Sequence, residues 1–403
     1  MKILRFVYIL ICVLFICSCS NKSNNPNHSK GYVAYKTLKD LIRKPYKVET
    51  IDVTKSRLIS SSVFLHNYTS EPSFIQLDNN VPLGRIDKIR KYKNKFYILS
   101  DDKIFIFSDN GRYVKTIDYK GHGHNEYLVL RDFQILPAEK LILGTDDRER
   151  KFFKFSLNTG ECLGSFDEVV GSPFARKIGK YYFHSLLYGN DDNEKDSHLI
   201  VVTDGKKMIA KQFVTAPLIE NALVENNLYD NGNTASFIPL YSDTVYTLND
   251  DLTYYPKYVV KQEKSLWSKK NERLTSEDVF KIVKTQGYSY LSPGMFIEAK
   301  EGIVFNVTIG CEYGMTSKFY YYDKKDKMIY EIKTYVFRGK IDRIFPDELC
   351  FAEDNTIYGY YRDLSSYKFL LESGQLKKGR LRNLIEKSKK GDNPVIVEFK
   401  LKK

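Results

Sequence analysis

The sequence predicts an all-β protein, a six-bladed β-propeller with a short helical insertion between blades 4 and 5. Three observations predict this fold. Short β-rich runs alternate with turn residues from about Gln76 onward. Hairpin turns recur at intervals of about 40 to 50 residues, which is typical of four-stranded propeller blades. The chain is 42% hydrophobic and 14% aromatic with a mean hydropathy of −0.40, which excludes a polytopic membrane protein, a collagen and a disordered chain.

The repeated unit is clearest near residue 100. Lys95–Ser100, Lys103–Ser108 and Arg112–Ile117 have the composition of strands, and Asn110-Gly111 supplies the positive φ angles of a tight hairpin. Similar turns follow, and we take one residue of each as a marker: Gly111, Gly160, Gly205, Asp251, Asp326 and Gly374. These six hairpins predict six blades. The last hairpin places a strand at 367–372, before the turn at Ser373-Gly374.

One interval between markers is longer than the others, because residues 261–290 break the strand pattern. Thr275 and Asp278 form a candidate capping box ahead of the apolar run at 279–283, which predicts a helix. Insertions of this kind lie on a propeller rim, where the segment either shapes the mouth of the central channel or decorates it. We also expect ring closure, in which 395–401 or the segment at 63–77 completes a blade begun by the other terminus.

The first residues differ from the rest of the chain. Lys2 and Arg5 precede an apolar run from Phe6 to Cys17, which is shorter than the roughly 20 residues of a membrane span but fits a secretion signal. The run ends in Ile16-Cys17-Ser18-Cys19, which resembles a bacterial lipobox. The resemblance implies that Cys19 becomes the lipidated first residue of the mature chain. The alternative is an ordinary cleaved signal with cysteines in its apolar core.

This interpretation divides the chain into a signal peptide at 1–18, a lipidated polar tether at 19–44 and the propeller at 45–403. The anchor would be the contact with the membrane, since several acyl chains give lasting attachment. Residues 20–30 contain no acidic side chain, which favours an outer-membrane lipoprotein that faces the periplasm.

Charge and cysteine content add limits on partners. The net charge of +13 could steer the protein towards anionic surfaces, but there is no basic motif with interleaved aromatic residues, so nucleic acid is not an expected partner. The densest basic stretch, 377–390, fits a solvated helix face better than a binding patch. Cys162, Cys311 and Cys350 remain after the signal, and one disulfide among them stays open.

Several phrases resemble a known family. Gly121–Tyr127, followed by Asp132-Phe133, is similar to the G-x-G-P-G-E-Y…D-F phrase of six-bladed β-propeller lipoproteins of Gram-negative bacteria, whose architecture is related to NHL-repeat and TolB-like propellers. The phrases at 242–246 and 393–397 are similar to that family as well. The resemblance extends from about 45 to 401 and implies the fold rather than a particular activity.

The same phrase departs from the family at His124-Asn125 and so creates the chain's one concentration of metal-ligand types. His122, His124 and Glu126, with Tyr127 beside them, form a candidate binding site, since two imidazoles and a carboxylate can coordinate zinc. In the alternative interpretation the glycines make a sharp connection between blades and Glu126 caps backbone amides. The pairs Asp101-Asp102, Asp146-Asp147 and Asp191-Asp192 are interpreted as turn residues, because calcium-loop spacing is absent.

Two functions remain open. The first is a lipid-anchored module that binds a peptide, a glycan or a partner protein with an aromatic-rich mouth or rim, and 31 tyrosines supply suitable contacts. The second is a metal-dependent hydrolase or lyase of lactonase type in the central channel. The sequence contains no nucleophile elbow, P-loop, H-E-x-x-H or dinucleotide motif, so catalysis has no local support, and neither a cofactor nor an oligomer is expected.

Overall fold

Short β-strands make up most of the protein, and nearly all of them belong to six sheets. The computed structural model describes residues 38–172, 174–187, 197–215, 218–220, 226–270, 272–334 and 340–403. Each sheet contains four antiparallel strands, which are consecutive in the chain in five of the sheets, and three of the sheets carry further strands at one edge. The six sheets are the blades of a β-propeller, which confirms the predicted fold.

We number the blades in chain order and give their strands from the axis outward. The strands of blades 1 to 3 are Ile86–Tyr92, Lys95–Ser100, Lys103–Ser108 and Tyr113–Ile117; Asp132–Leu136, Leu141–Asp146, Lys151–Ser156 and Cys162–Asp167; and Phe174–Ile178, Tyr181–Leu187, Ser197–Thr203 and Met208–Thr215. The strands of blades 4 to 6 are Leu228–Asp230, Thr234–Phe237, Thr244–Asn249 and Thr253–Lys261; Tyr290–Glu298, Gly302–Cys311, Gly314–Asp323 and Met328–Lys333; and Glu348–Glu353, Thr356–Tyr361, Val395–Lys400 and Ser73–Gln76.

The first strand of each blade lies nearest the axis. First strands of neighbouring blades contact one another from blade 5 through 6, 1, 2 and 3 to blade 4. Strand side chains alternate between the two faces of a sheet, so each blade packs apolar side chains against the blades on both sides. The buried residues accordingly form clusters that span neighbouring blades.

Blade 6 closes the ring with strands from both ends of the described chain. Val395–Lys400 pairs with Thr356–Tyr361 on one side and, antiparallel, with Ser73–Gln76 on the other. This pairing confirms the expected closure. Gly111, in the predicted hairpin turn of blade 1, has a φ of 86°, and a Cβ atom on it would stand 2.0 Å from the Gln76 carbonyl oxygen. The closing strand therefore packs directly against the first blade.

A second feature of the N-terminal region was not predicted. Residues 39–60, which we call the N-terminal strap, add parallel strands to the outer edges of three successive blades. Lys39–Asp40 pairs with blade 3, Ile42–Arg43 and Glu49–Asp52 pair with blade 4, and Arg57–Ser60 pairs with blade 5. Strand pairing thus begins at Lys39, before the predicted propeller start at 45.

The helices of the described residues are few and short. Their α-helices are α1 (Ser61–Asn67), α2 (Ser276–Gln286), α3 (Phe369–Glu372) and α4 (Arg380–Lys387), and 3-10 turns occur at Val53–Lys55, Pro137–Glu139, Leu266–Lys269 and Leu364–Tyr367. Helix α2 is the predicted insertion, and it starts at the predicted capping box of Thr275 and Asp278. Beside it, Leu218–Glu220 pairs in parallel with Arg273–Thr275. Helix α4 lies in the basic stretch, with Leu381 and Ile385 buried and its charged side chains outside.

The strand predicted at 367–372 is wrong, because this segment is helical. Asp363 begins it as an N-cap, its carboxylate accepting a hydrogen bond of 2.9 Å from the Ser365 amide. Leu364, Tyr367 and Leu370 are buried, and their spacing of three residues suits a tight helix rather than a strand. The third strand of blade 6 comes instead from Val395–Lys400, so the count of six blades holds although one hairpin was misplaced.

Some predictions fall outside the described residues. The signal peptide at 1–18, Cys19, most of the tether and the pair Asp191-Asp192 lie there. Where the chain is described, no helix has the length and apolar character needed to cross a membrane. Cys162, Cys311 and Cys350 are all free thiols.

Candidate functional site

The predicted loop at 121–127 is an exposed connection between blades 1 and 2. His122 and His124 are exposed, and Glu126 folds back so that its Oε2 accepts a 2.7 Å hydrogen bond from the Gly123 amide. A Cβ atom on Gly121 would stand 2.0 Å from that oxygen, so the carboxylate occupies the space that a side chain would need. Glu126 thus caps a backbone amide, as in the alternative interpretation of this phrase.

Tyr127 belongs to the core rather than to the loop surface. Its ring is fully buried and packs edge-on against Phe153 with a centroid distance of 5.7 Å. Its hydroxyl accepts a hydrogen bond of 3.3 Å from the Tyr119 amide, and burial raises the pKa of the phenol well above its usual value. Tyr127 therefore fastens the loop to blade 2.

The zinc hypothesis gains no further ligand from the structure. Among the described residues, no three His, Cys, Asp or Glu side chains are grouped closely enough to hold a metal ion. The predicted turn roles of the aspartates are observed where they are described. Asp101 and Asp102 adopt positive φ angles, and buried Asp146 accepts hydrogen bonds from four backbone amides.

A different group of charged residues meets at the propeller axis. Lys88 and Arg90 lie two residues apart on the first strand of blade 1 and therefore face the same side of the sheet. Asp132 comes from the first strand of blade 2, Arg176 from that of blade 3 and Asp230 from that of blade 4. We call these five residues the charge ring.

Opposite charges alternate along the charge ring. The Lys88 Nζ and the Arg176 Nη1 each lie 2.5 Å from the Asp132 carboxylate. The Arg176 Nε lies 3.1 Å from Asp230 Oδ1, and the Arg90 Nε lies 4.0 Å from Asp230 Oδ2. The series thus begins and ends on blade 1 and joins the first four blades at the axis.

Three of the five residues of the charge ring are deeply buried. The side chains of Lys88, Asp132 and Arg176 are 6%, 3% and 1% exposed. Burial by itself would raise the pKa of Asp132, but Arg176 and Lys88 outweigh it and hold that pKa at about 2. Burial, assisted by Arg176, lowers the pKa of Lys88 to about 7 against the attraction of Asp132. Such pairs are costly to break because each partner would leave an uncompensated charge.

Arg90 uses few of its hydrogen-bond donors within the charge ring. Its Nη1 donates a hydrogen bond of 2.9 Å to the Ile89 carbonyl, and its guanidinium carbon lies 5.5 Å from the centre of the Phe351 ring. A guanidinium has five N–H donors in a planar fork, so most of the donors of Arg90 are available to another group. When Lys88 is protonated, below its pKa of about 7, the ring contains three cations and two carboxylates.

Two chambers are lined in part by the charge ring, a smaller one of about 490 Å³ by Lys88 and Arg90 and a larger one of about 610 Å³ by Arg90 and Asp230. Arg90, Tyr229 and Cys350 line both chambers, and we call these three residues the waist. Burial raises the pKa of the Cys350 thiol to about 12, so this member of the waist is neutral at physiological pH. Both volumes fall within the range of small-molecule sites.

The two chambers differ in chemistry. Lys88, Arg90 and Asn226 supply polar groups to the smaller chamber, and Leu83, Ile86, Leu349 and Pro394 supply apolar wall. Three carboxylates also line it: Asp87, Glu348 and Asp392. The larger chamber has aromatic side chains at Tyr92, Tyr229, Phe296 and Phe351. It is also lined by four carboxylates: Glu139, Asp230, Glu298 and Glu353.

Sequence analysis missed the charge ring, although a signal for it exists. Lys88, Asp132 and Arg176 are separated by 44 residues each, which is the blade period. Charged residues at equivalent positions of successive first strands therefore meet at the axis. A search for charged residues that recur at the blade period in the first strands would have found these three, whereas a search for local motifs could not.

Comparison with known families now places the protein. The family model described as "Domain of unknown function (DUF4934)" matches residues 48–400. The chain belongs to this family. The match covers the propeller almost completely, including most of the N-terminal strap and the whole charge ring.

Solved structures related to this DUF4934 protein share its fold. A Bacteroides fragilis protein described as a candidate exported protein is 17% identical, with a TM-score of 0.68 over 89% of this chain and 100% of its own. A member of the DUF4221 family from Bacteroides vulgatus is 14% identical, with a TM-score of 0.52 over 83% of this chain and 97% of its own. No curated protein matches the sequence.

Proposed function

We propose that the protein is a lipid-anchored binding module of the cell envelope, whose ligand site lies in the chambers on the propeller axis. The observation that carries this proposal is the pair of chambers that share the waist. Each chamber is large enough for a small molecule or for the end of a longer one, and each combines apolar wall with a few polar groups.

The composition of the axis favours binding over the alternative, a metal-dependent hydrolase or lyase. A metal site of that kind needs several carboxylates or imidazoles free to coordinate. In the charge ring Asp132 and Asp230 are the carboxylates, and both are engaged by cations, chiefly Arg176. Two adjacent guanidinium groups and a lysine would also repel a divalent cation.

Envelope location is supported by the N-terminal sequence. The basic start, the short apolar run and the lipobox-like Ile16–Cys19 agree with export and lipidation. The Bacteroides fragilis structure of similar fold carries the description of an exported protein candidate, which is consistent with the same route for this chain.

The ligand site can be tested by filling each chamber with a bulky side chain. Ala138→Trp would fill the larger chamber and Leu83→Trp the smaller one, while Met315→Trp, on the exposed hairpin of blade 5, is the matched control. Melting curves are recorded with a panel of organic acids, sugars and short peptides. A compound that stabilises the wild type and the control but not one chamber variant supports the proposal. A panel whose stabilising compounds act equally on all variants contradicts it.

The anchor can be tested separately in a Gram-negative host. The wild type and Cys17→Ala should incorporate labelled fatty acid and sediment with membranes, because Cys17 precedes the lipidated position. Cys19→Ala should lose the label and appear in the soluble fraction. Labelled Cys19→Ala protein would contradict the assignment of Cys19.

A further inference from the structure

We infer that the smaller chamber binds a carboxylate group, which Arg90 holds at the waist. This inference rests on the proposed function and names the ligand chemistry of one chamber. It follows from three features: the free donors of Arg90, the charge count around the chamber, and the shape of its wall.

The first feature is the set of hydrogen-bond donors of Arg90. Arg90 lines the smaller chamber with its side chain 17% exposed, and it is positioned by the hydrogen bond to the Ile89 carbonyl and by the Phe351 ring. A fixed guanidinium loses little conformational freedom on binding, and its planar fork matches the two oxygens of a carboxylate. Lys88 lines the same chamber and adds a second positive group when it is protonated, below its pKa of about 7.

The charge count indicates a single negative charge. The other ions that line the chamber are satisfied locally: Arg85 pairs with Asp87 at 2.7 Å, and Arg362 pairs with Glu348. Asp392 accepts hydrogen bonds from Asn79 and the Lys389 amide. The ions that line the smaller chamber are four cations and three carboxylates when Lys88 is protonated, below its pKa of about 7. One carboxylate would balance this excess, whereas a dianionic phosphate would exceed it.

The wall explains why an organic acid fits better than an inorganic anion. Leu83, Ile86, Leu349 and Pro394 offer apolar surface to the body of the ligand. Burial of such a body contributes roughly 25 cal/mol per Å² of apolar area, which an inorganic anion cannot supply. The larger chamber is less suitable for an acid, because four carboxylates and three cations line it, whereas three carboxylates and four cations line the smaller one.

The inference is tested by calorimetric titration with acetate, 3-phenylpropanoate and glucuronate, each compared with its neutral amide, and with inorganic phosphate. At least one of the three acids should bind, and its amide should bind about tenfold to hundredfold more weakly, since a charged hydrogen bond is lost. Arg90→Gln should weaken the acid to the level of its amide. Arg90→Lys should give intermediate affinity, because it keeps the charge but not the fork. Arg85→Gln, on the same chamber but 86% exposed, is the matched control and should bind as the wild type does.

Several results would overturn the inference. These are the failure of all three acids to bind, equal binding of acid and amide, tighter binding of phosphate, or an equal loss in Arg85→Gln and Arg90→Gln. If Arg90→Gln does not fold, Arg90→Lys carries the test, with near-ultraviolet circular dichroism as the folding control. If Leu83→Trp abolishes binding of a ligand but Arg90→Gln leaves its affinity unchanged, this inference is overturned and the proposed function stands.

Discussion

Blades 1 and 2 are fastened at the axis, whereas blades 5 and 6 are fastened at their outer edges. Blades 1 and 2 supply Lys88, Arg90 and Asp132 to the charge ring, and their sheets have four strands each in the part of the chain that the structure describes. Blade 5 gains a parallel strand from the N-terminal strap, and blade 6 gains its outermost strand from Ser73–Gln76. Blades 3 and 4 have both kinds of fastening.

The difference separates stability from specificity. Outer-edge fastening buries apolar side chains and pairs backbone groups, which stabilises the fold directly. A buried ion network contributes little net stability compared with apolar packing, yet it is costly to break. We therefore expect the outer edges to hold the ring together and the charge ring to define the shape and charge of the chambers.

Deletion of residues 393–403 tests the outer fastening most severely. It removes the third strand of blade 6, in which Val395, Ile396, Val397 and Phe399 are buried. Each such side chain contributes about 1.5–3 kcal/mol, and the sum is comparable to the whole stability of a domain. We expect the truncated protein not to fold, as measured by circular dichroism and thermal melting. An unchanged melting curve would show that closure at blade 6 is dispensable.

Asp132→Asn tests the inner fastening. The substitution leaves Lys88 and Arg176 buried without their shared carboxylate and should lower the free energy of unfolding by about 3–5 kcal/mol in urea titrations. Asp230→Asn is the matched control, because the Asp230 side chain is 23% exposed and water can replace part of its contacts. Equal losses in the two variants would mean that burial does not set the cost.

The N-terminal strap offers a comparison within one segment. Ile51 is fully buried between the strap and blade 4, whereas Ile42, on the same strap, is 65% exposed. Ile51→Ala should lower the free energy of unfolding by about 2–5 kcal/mol, and Ile42→Ala should change it by less than about 0.5 kcal/mol. If both changes are small, the strap lies on the blades without stabilising them.

The pH dependence of stability isolates the smallest effect, the burial of Lys88. Its amine faces Asp132, Arg176, Arg90 and Asp230, and burial lowers its pKa from 10.5 to about 7. Between pH 7 and 9 the unfolded chain therefore binds more protons here than the folded chain, so stability rises with pH, by at most about 1.4 kcal/mol per pH unit. In the Lys88→Met variant the free energy of unfolding, measured by urea titration at pH 7 and at pH 9, should therefore rise less between the two pH values than in the wild type. Parallel slopes for the two proteins would refute a lowered pKa.

The sequence predicted the parts of the fold that depend on local chemistry. Asn110-Gly111 marks a tight hairpin because few residues accept positive φ, and Thr275 with Asp278 marks a helix start because both groups satisfy backbone amides. The segment at 367–372 was misassigned because a short apolar run is compatible with a strand or a helix. The Asp363 cap ahead of it would have favoured the helix.

The N-terminal strap and the charge ring depend on contacts between distant residues, and no local pattern reports such contacts. The strands of the strap are two to four residues long and pair with blades more than 150 residues away in the chain, as between Lys39 and Ala210. The loop at 121–127 drew attention because histidines are rare in this chain, which has six. Rarity indicated a site there, but Glu126 is used by the loop itself.

The closing strand Ser73–Gln76 also bears on the order in which the chain can fold. It is synthesised before every other strand of the six blades, yet its partner, Val395–Lys400, is synthesised last. The N-terminal strap is likewise synthesised before its partner strands in blades 3, 4 and 5. Contacts of such long sequence separation form slowly, because the intervening chain must be ordered first. We expect the ring to close only after the complete chain is available.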